Sequence, residues 1–469
     1  MNLKTELMPH QVPAVEKVLP SRIGALFMQM GLGKSRTAIE LTFRRWSKID
    51  RVVWFCPVSL KETVRQEIIK HTDSTDILVF DGKINECSLP KAFWYIIGIE
   101  SMSASTRMVL AANKLVTSKT MVILDESSYI KGHYAKRTLR ITKIAERARY
   151  RLILTGTPIS QGVVDLFSQM RFLSPKILGY DSFYSFAANH LEYSEKFPGM
   201  IVRAHNTEYL AAKIAPYVYQ VTKEECLDLP TKIYTTRYFG MVYEQSRAYE
   251  EAKNEILGEL EREEFDTTVI FRLFGVLQQI ACGFWHRRVR HRKFEMLEFE
   301  HRRIDTLLAA IHEIPEGQKI IIWAKFQYDI EHIRDVLKKE FGEDSVAVFH
   351  GKLSEKERAR QVMLFRGPAR FFLATQSAGG HGLTLNEAHY VIFYNNGFKY
   401  AEREQAEDRC HRIGQGHKVT YVDIECCCGI EERIAKALSN KGNVVEEFRE
   451  EVERIKDKKD ALKELIKKL

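Results

Sequence analysis

Short, nearly unbroken apolar runs recur along this chain, separated by stretches of helical period. In the first part they are Arg51–Phe55, Phe93–Ile97, Met121–Leu124 and Arg151–Leu154. In the last part they are Lys319–Trp323, Val346–Phe349, Phe371–Ala374, Tyr390–Tyr394 and Val419–Ile424. A strand that is apolar at consecutive positions is buried on both faces, and such strands alternating with helices form parallel sheets. Two series of this kind predict an α/β protein with two doubly wound parallel-sheet lobes. Between them the period changes. Glu244–Leu260 and Val269–Phe284 repeat as helices and carry abundant charge, and residues 160 to 300 show no strand series. The expected organisation is a first lobe over 1–170, a helical insertion over 171–300, a second lobe over 301–440 and a C-terminal helix over 441–469. In that last segment Val445, Phe448, Val452, Ile455, Leu462, Ile466 and Leu469 fall on alternating three- and four-residue steps, with Lys459 at the missing step. The seam predicts an amphipathic helix that packs on the body or meets a protein partner as a coiled coil.

Composition narrows the class. With 469 residues, 45% of them hydrophobic, the chain can build two to four separate cores. Its apolar runs are too short to span a bilayer, and Met-Asn-Leu-Lys-Thr-Glu lacks the apolar core of a signal peptide. The expectation is a protein of the cytosol or nucleoid with no membrane partner. A formal charge of +9 permits nucleic-acid binding. The most basic stretch, His286–Lys293, offers Arg287, Arg288, Arg290 and Arg292 to phosphates, the alternative being a solvated hairpin. Three adjacent cysteines, Cys426, Cys427 and Cys428, point alternately to opposite faces of a strand and cannot converge on one tetrahedral zinc.

Candidate chemistry lies near both ends. Gly31-Leu-Gly33-Lys34-Ser35 follows the apolar Ile23–Met28 and precedes a helical stretch. Glycines let backbone N–H groups approach phosphate oxygens, and a helix N-terminus adds partial positive charge. Lys34 would meet the β- and γ-phosphates of ATP, and the Ser35 hydroxyl would ligate Mg²⁺. Met28 stands where the usual first glycine of such a loop belongs. Met121-Val-Ile-Leu-Asp125-Glu126 ends an apolar strand in two acids, at the sheet edge where open α/β folds bind ligands. Asp125 would hold Mg²⁺ and Glu126 would activate the attacking water. Far downstream, Gln405-Ala-Glu-Asp-Arg409-Cys-His-Arg412-Ile-Gly-Gln415 offers two arginines three residues apart, expected on one helix face. An ATPase with arginines that far from its phosphate loop is expected to work across a cleft between two lobes.

Together these segments resemble the Swi/Snf-type ATPases of helicase superfamily two over roughly residues 7 to 440, in a compact form suited to a bacterium or phage. Leu7-Met-Pro-His-Gln11 resembles the family's adenine-reading motif, with Gln11 as reader, and Gln405 joins the nucleotide contacts. Asp125-Glu126-Ser127-Ser128 with Lys131 resembles its D-E-A-H box, and Leu154-Thr155-Gly156-Thr157-Pro158 its coupling motif. The resemblance implies coupling through Ser128, Thr155 and Thr157, where Ser128 replaces a histidine. It implies DNA contacts at Ser59, Lys61, Arg358, Thr375 and Gly380. It also implies two RecA-like lobes that hydrolyse ATP at their interface and move along duplex DNA without reading sequence. A strand-separating or annealing helicase, and an ATP-switched scaffold that recruits a partner, are the competing expectations.

Overall fold

The computed structural model describes residues 2–85, 87–156, 158, 162–193, 201–227, 229–260, 268–290, 293–376, 383–441, 451 and 459–469. Among the sequence-derived candidates, Thr157, Gly380 and Arg292 lie outside the described residues, as do Val445, Phe448, Val452 and Ile455. The chain forms two compact units, Met1–Asp228 and Leu229–Leu469.

In the first unit the strands are β1 (Ile23–Met28), β2 (Arg51–Cys56), β3 (Ile77–Val79), β4 (Trp94–Gly98), β5 (Thr120–Asp125) and β6 (Tyr150–Thr155). A small antiparallel pair, β7 (Leu191–Tyr193) and β8 (Ile201–Ala204), precedes β9 (Val218–Val221). The main sheet is wholly parallel and seven-stranded, in the order β3-β4-β2-β5-β6-β1-β9. Alternate residues of one strand feed two different cores, as a sheet buried on both faces requires. Ala25, Phe27, Val53, Phe55, Val122, Leu124 and Ile153 pack with Met108, Ala111, Ile141 and Leu166. Leu26, Met28, Val52, Trp54, Met121, Ile123, Leu152 and Leu154 pack with Ala38, Ile39, Val64 and Ile68.

The second unit repeats the plan. Its strands are β10 (Lys232–Phe239), an antiparallel hairpin of β11 (Phe284–Arg290) and β12 (Lys293–Glu298), then β13 (Ile320–Ala324), β14 (Val346–Phe349), β15 (Phe371–Thr375), β16 (Tyr390–Phe393) and β17 (Val419–Cys426). The six-stranded sheet is parallel, in the order β10-β17-β16-β13-β15-β14. Ile320, Ile322, Leu373, Ile392 and Ile424 serve one core, while Ile321, Trp323, Phe372, Val391 and Phe393 serve the other. Two parallel-sheet α/β lobes, each double-sided, are therefore present. Among the described residues, no helix is long and apolar enough to cross a membrane.

The span expected as one helical insertion, 171–300, is divided between the units. Its helices Tyr243–Leu260 and Thr268–Ala281 belong to the second, yet β9 closes an edge of the first sheet and β10 an edge of the second. Edge strands escaped the apolar-run criterion because they are only partly covered, and Ile233, Tyr234 and Tyr238 of β10 are exposed. At the C-terminus the helix Lys459–Lys467 lays Leu462, Leu465, Ile466 and Leu469 into the core of its own unit. Lys253 Nζ donates to the Lys467 carbonyl at 2.9 Å, so the described part of this helix packs on the body. Cys426 ends β17 and is buried, while the exposed Cys427 and buried Cys428 lie beyond the strand expected to carry all three.

One buried cation organises the second unit. Arg303 is fully buried and pairs with Glu431, while its Nη1 donates to the carbonyls of Tyr394 and of Ile424, the latter at 3.0 Å. It thereby ties β17 to the residue that follows β16. Arg303→Met removes the cation and leaves Glu431 buried without it, a loss of about 3–5 kcal/mol. Denaturant unfolding should show a lowered midpoint for the second unit, and a change below about 1 kcal/mol would refute this role.

Candidate nucleotide site

The turn after β1 is built for close backbone approach. Gly31 (φ 87°) and Gly33 (φ 77°) are left-handed, a conformation glycine adopts without steric cost. A Cβ on Gly33 would lie 2.1 Å from the amide nitrogen of Gln11. The helix α2 (Lys34–Arg44) starts directly behind, with Gly33 as its N-cap and no side chain capping it. Its first-turn N–H groups are thus available to an anion. Lys34 Nζ donates to the Met28 carbonyl at 2.9 Å and reaches that of Gln29 at 3.4 Å, holding the ammonium inside the loop.

Gln11 braces this loop. Its Oε1 accepts from Met8 N at 2.9 Å, which turns Nε2 toward the carbonyls of Leu32 (3.1 Å) and Gly33 (3.3 Å). His10 Nε2 lies 2.9 Å from the same Leu32 carbonyl, a second brace that the sequence motif did not single out. Gln29 Oε1 accepts from Lys223 N at 2.7 Å, anchoring the loop to the segment after β9.

Asp125 ends β5 and Glu126 follows it, one strand removed from β1. Burial pushes the Asp125 carboxyl up to about 7, the charge of Glu126 adds to the rise, and the Lys34 ammonium opposes it. Glu126 is one of three described non-glycine residues with positive φ (49°), and its N–H donates to Asp125 Oδ1 at 3.0 Å. The Asp125 carboxylate and the Ser35 hydroxyl are hard oxygen donors of the kind Mg²⁺ takes. Thr155 ends β6, and Gly156 abuts the phosphate loop, where a Cβ would meet Met30 N at 3.3 Å. Ser128 is half-buried in the short turn Ser127–Ile130.

In the second unit Gln405 sits on the helix Tyr400–Glu407, but Arg409 and Arg412 lie beyond its end and do not share a helix face. Beyond the helix, side-chain hydrogen bonds and a glycine turn hold the backbone. Gln415 Nε2 donates to the carbonyls of Ala388 (3.0 Å) and Cys410 (3.3 Å), Asn386 Nδ2 to that of Ile413 (2.8 Å), and Gly414 turns left-handed at φ 95°. Arg409 is 1% exposed, whereas Arg412 is half-buried and donates to the Leu383 carbonyl at 3.1 Å.

The DNA candidates spread over both units. Ser59 is half-buried in the turn after β2, and Lys61 Nζ donates to the Phe80 carbonyl at 2.9 Å. Glu100, which sequence reading passed over, accepts from Val58 N at 2.9 Å and steadies that turn. Arg358 donates to the Gly351 carbonyl at 2.7 Å, and Thr375 ends β15. Arg287, on the β11–β12 hairpin, is paired with both Glu251 and Glu255, so its charge is largely met within the protein. Arg288 and Arg290 belong to the same strand.

The SNF2-related domain matches residues 17–283 and the helicase conserved C-terminal domain matches 302–414. An uncharacterized ATP-dependent helicase of Mycoplasma genitalium is 26% identical over 435 residues, 90% of this chain and 40% of that protein. A DNA annealing helicase and endonuclease of Homo sapiens is 26% identical over 442 residues, 88% of this chain and 37% of its own length. The chain thus spans well under half of these relatives. The SWI2/SNF2 ATPase core of Sulfolobus solfataricus, solved with double-stranded DNA, is similar at 25% identity and a TM-score of 0.45, covering 94% of this chain and 92% of that one. Since the SNF2-related domain alone matches more than half of its residues, the chain belongs to the SNF2-related family.

Proposed function

We propose that the chain hydrolyses ATP to ADP and phosphate and uses the cycle to move along duplex DNA without reading its sequence. The observation that carries the proposal is the left-handed Gly31/Gly33 turn opening α2 beside the buried Asp125 and the strained Glu126, within a chain of the SNF2-related family. Lys34 and the first-turn N–H groups of α2 bind and orient the phosphates. Mg²⁺, held through Ser35 and Asp125, supplies electrostatic neutralisation of phosphate charge when bound. Glu126 accepts the proton of the attacking water. Arg409 and Arg412 meet charge that develops on the γ-phosphate, with Arg412 the more accessible of the two. Gln11 reads adenine while holding the loop, with Gln405 beside the nucleotide.

Motion along DNA requires contacts that break at each step, and backbone and hydroxyl contacts to phosphates have that property. Ser59, Lys61, Arg358, Thr375 and Gly380 are assigned that role, with Arg288, Arg290 and Arg292 as further phosphate contacts. The test is steady-state ATP turnover with no nucleic acid, single-stranded DNA, duplex DNA and RNA. Duplex DNA should stimulate most, and turnover indifferent to duplex would refute the proposal.

A strand-separating or annealing activity is the second reading, supported by the human annealing helicase among the relatives. A labelled triplex and a labelled fork divide the two. Triplex displacement without strand release supports translocation, and the reverse supports the helicase.

A further inference from the structure

We infer that Gln169 is a positioning residue that ties the turn carrying Glu126 to the loop after β6, an inference that rests on the proposed ATP hydrolysis. The helix Val164–Leu173 places Gln169 fully buried between the two loops. Ser127, also fully buried, donates its hydroxyl to Gln169 Oε1 at 2.5 Å. Gln169 Nε2 donates to the Pro158 carbonyl at 2.7 Å and to that of Asp165 at 2.9 Å. Both amide hydrogens are thereby used on carbonyl acceptors. Flipping the amide would set its oxygen against two carbonyls, so the orientation is chemically determined.

The clamp acts where precision matters. Ser127 directly follows Glu126, whose left-handed backbone at φ 49° is costly for a residue with a Cβ. Such a conformation persists only when neighbours over-determine it, and the Ser127–Gln169 bond is one such constraint. A parallel tie strengthens the frame. Ser168 Oγ donates to the Lys131 carbonyl at 3.1 Å, and Lys131 Nζ lies 3.8 Å from Asp165. One helix therefore holds both ends of the Asp125–Lys131 turn while its Gln169 holds Pro158. A shift at Pro158 is coupled through the buried Gln169 amide to the backbone that aims the Glu126 carboxylate. Ser128, the residue singled out by its place in the motif, is only half-buried, and the buried hydroxyl next to it makes the connection.

Ser127→Ala, Gln169→Leu and the double variant test this in the full chain, by ATP turnover with and without duplex DNA. Each single change should lower kcat in the presence of duplex at least about tenfold while KM for ATP stays within about twofold, since nucleotide binding does not use this amide. The ratio of turnover with duplex to turnover without it should fall toward one. The double variant should be no worse than Gln169→Leu, because both changes cut the same bridge. Full duplex stimulation in Gln169→Leu, or multiplicative losses in the double variant, would overturn the inference. If Gln169→Leu does not fold, Ser127→Ala decides, and a folded Ser127→Ala with wild-type stimulation overturns it. A wild-type chain without duplex-stimulated turnover would instead overturn the parent proposal, and this one with it.

Discussion

Lys34→Ala is expected to abolish ATP turnover, with a loss of at least about a thousandfold. Lys34 contributes twice. In the proposed mechanism its ammonium draws in the phosphates, and its bonds to the carbonyls of Met28 and Gln29 shape the loop that would receive them. It also opposes the upward shift of Asp125, so its removal leaves that buried carboxyl with less favourable charge around it. The fold itself should survive, because the bonds of the Lys34 ammonium to the Met28 and Gln29 carbonyls are local to its own loop. Phosphate release at saturating duplex, with a thermal melt as the control for folding, reads the outcome. Turnover within about tenfold of wild type in a folded variant would remove Lys34 from the chemistry.

Arg412→Ala should spare nucleotide binding and remove most turnover, about 10³–10⁵-fold, the range over which a guanidinium serves the transition state of phosphoryl transfer. The structure makes this the cleaner of the two arginine tests. Arg409 is buried, so its removal would also disturb packing. Arg412 is half-buried, and its bond to the Leu383 carbonyl is worth about 1 kcal/mol. Binding of a fluorescent nucleotide should change by less than about threefold while kcat collapses. Equal losses in affinity and turnover would make Arg412 a ground-state contact, and normal turnover would end its catalytic assignment.

Much of this architecture is written in local pattern. A parallel strand covered on both sides needs apolar residues at consecutive positions, so Arg51–Phe55, Met121–Leu124 and Phe371–Ala374 announce themselves, and each lies inside an observed strand. The Gly31–Ser35 segment is equally legible, since its left-handed turn and helix start are consequences of a few neighbouring residues.

Where pattern and periodicity fall short, the deciding contacts join residues distant in the chain. Val218–Val221 and Lys232–Phe239 are edge strands, made strands by the partners β1 and β17 rather than by their own hydropathy. Spacing suggested that Arg409 and Arg412 share a helix face, yet the helix ends at Glu407, and Gln415 and Asn386 hold the carbonyls of Cys410 and Ile413 in a non-helical turn. Arg287 read as a free cation until the helix Tyr243–Leu260 supplied Glu251 and Glu255. Ser127 and Gln169 stand 42 positions apart with nothing in either segment to pair them. Hydrophobic period reports which faces are buried, because burial is felt residue by residue. A hydrogen bond between buried side chains depends on the direction and reach of two groups, and those are defined only once the sheet and its covering helices have packed.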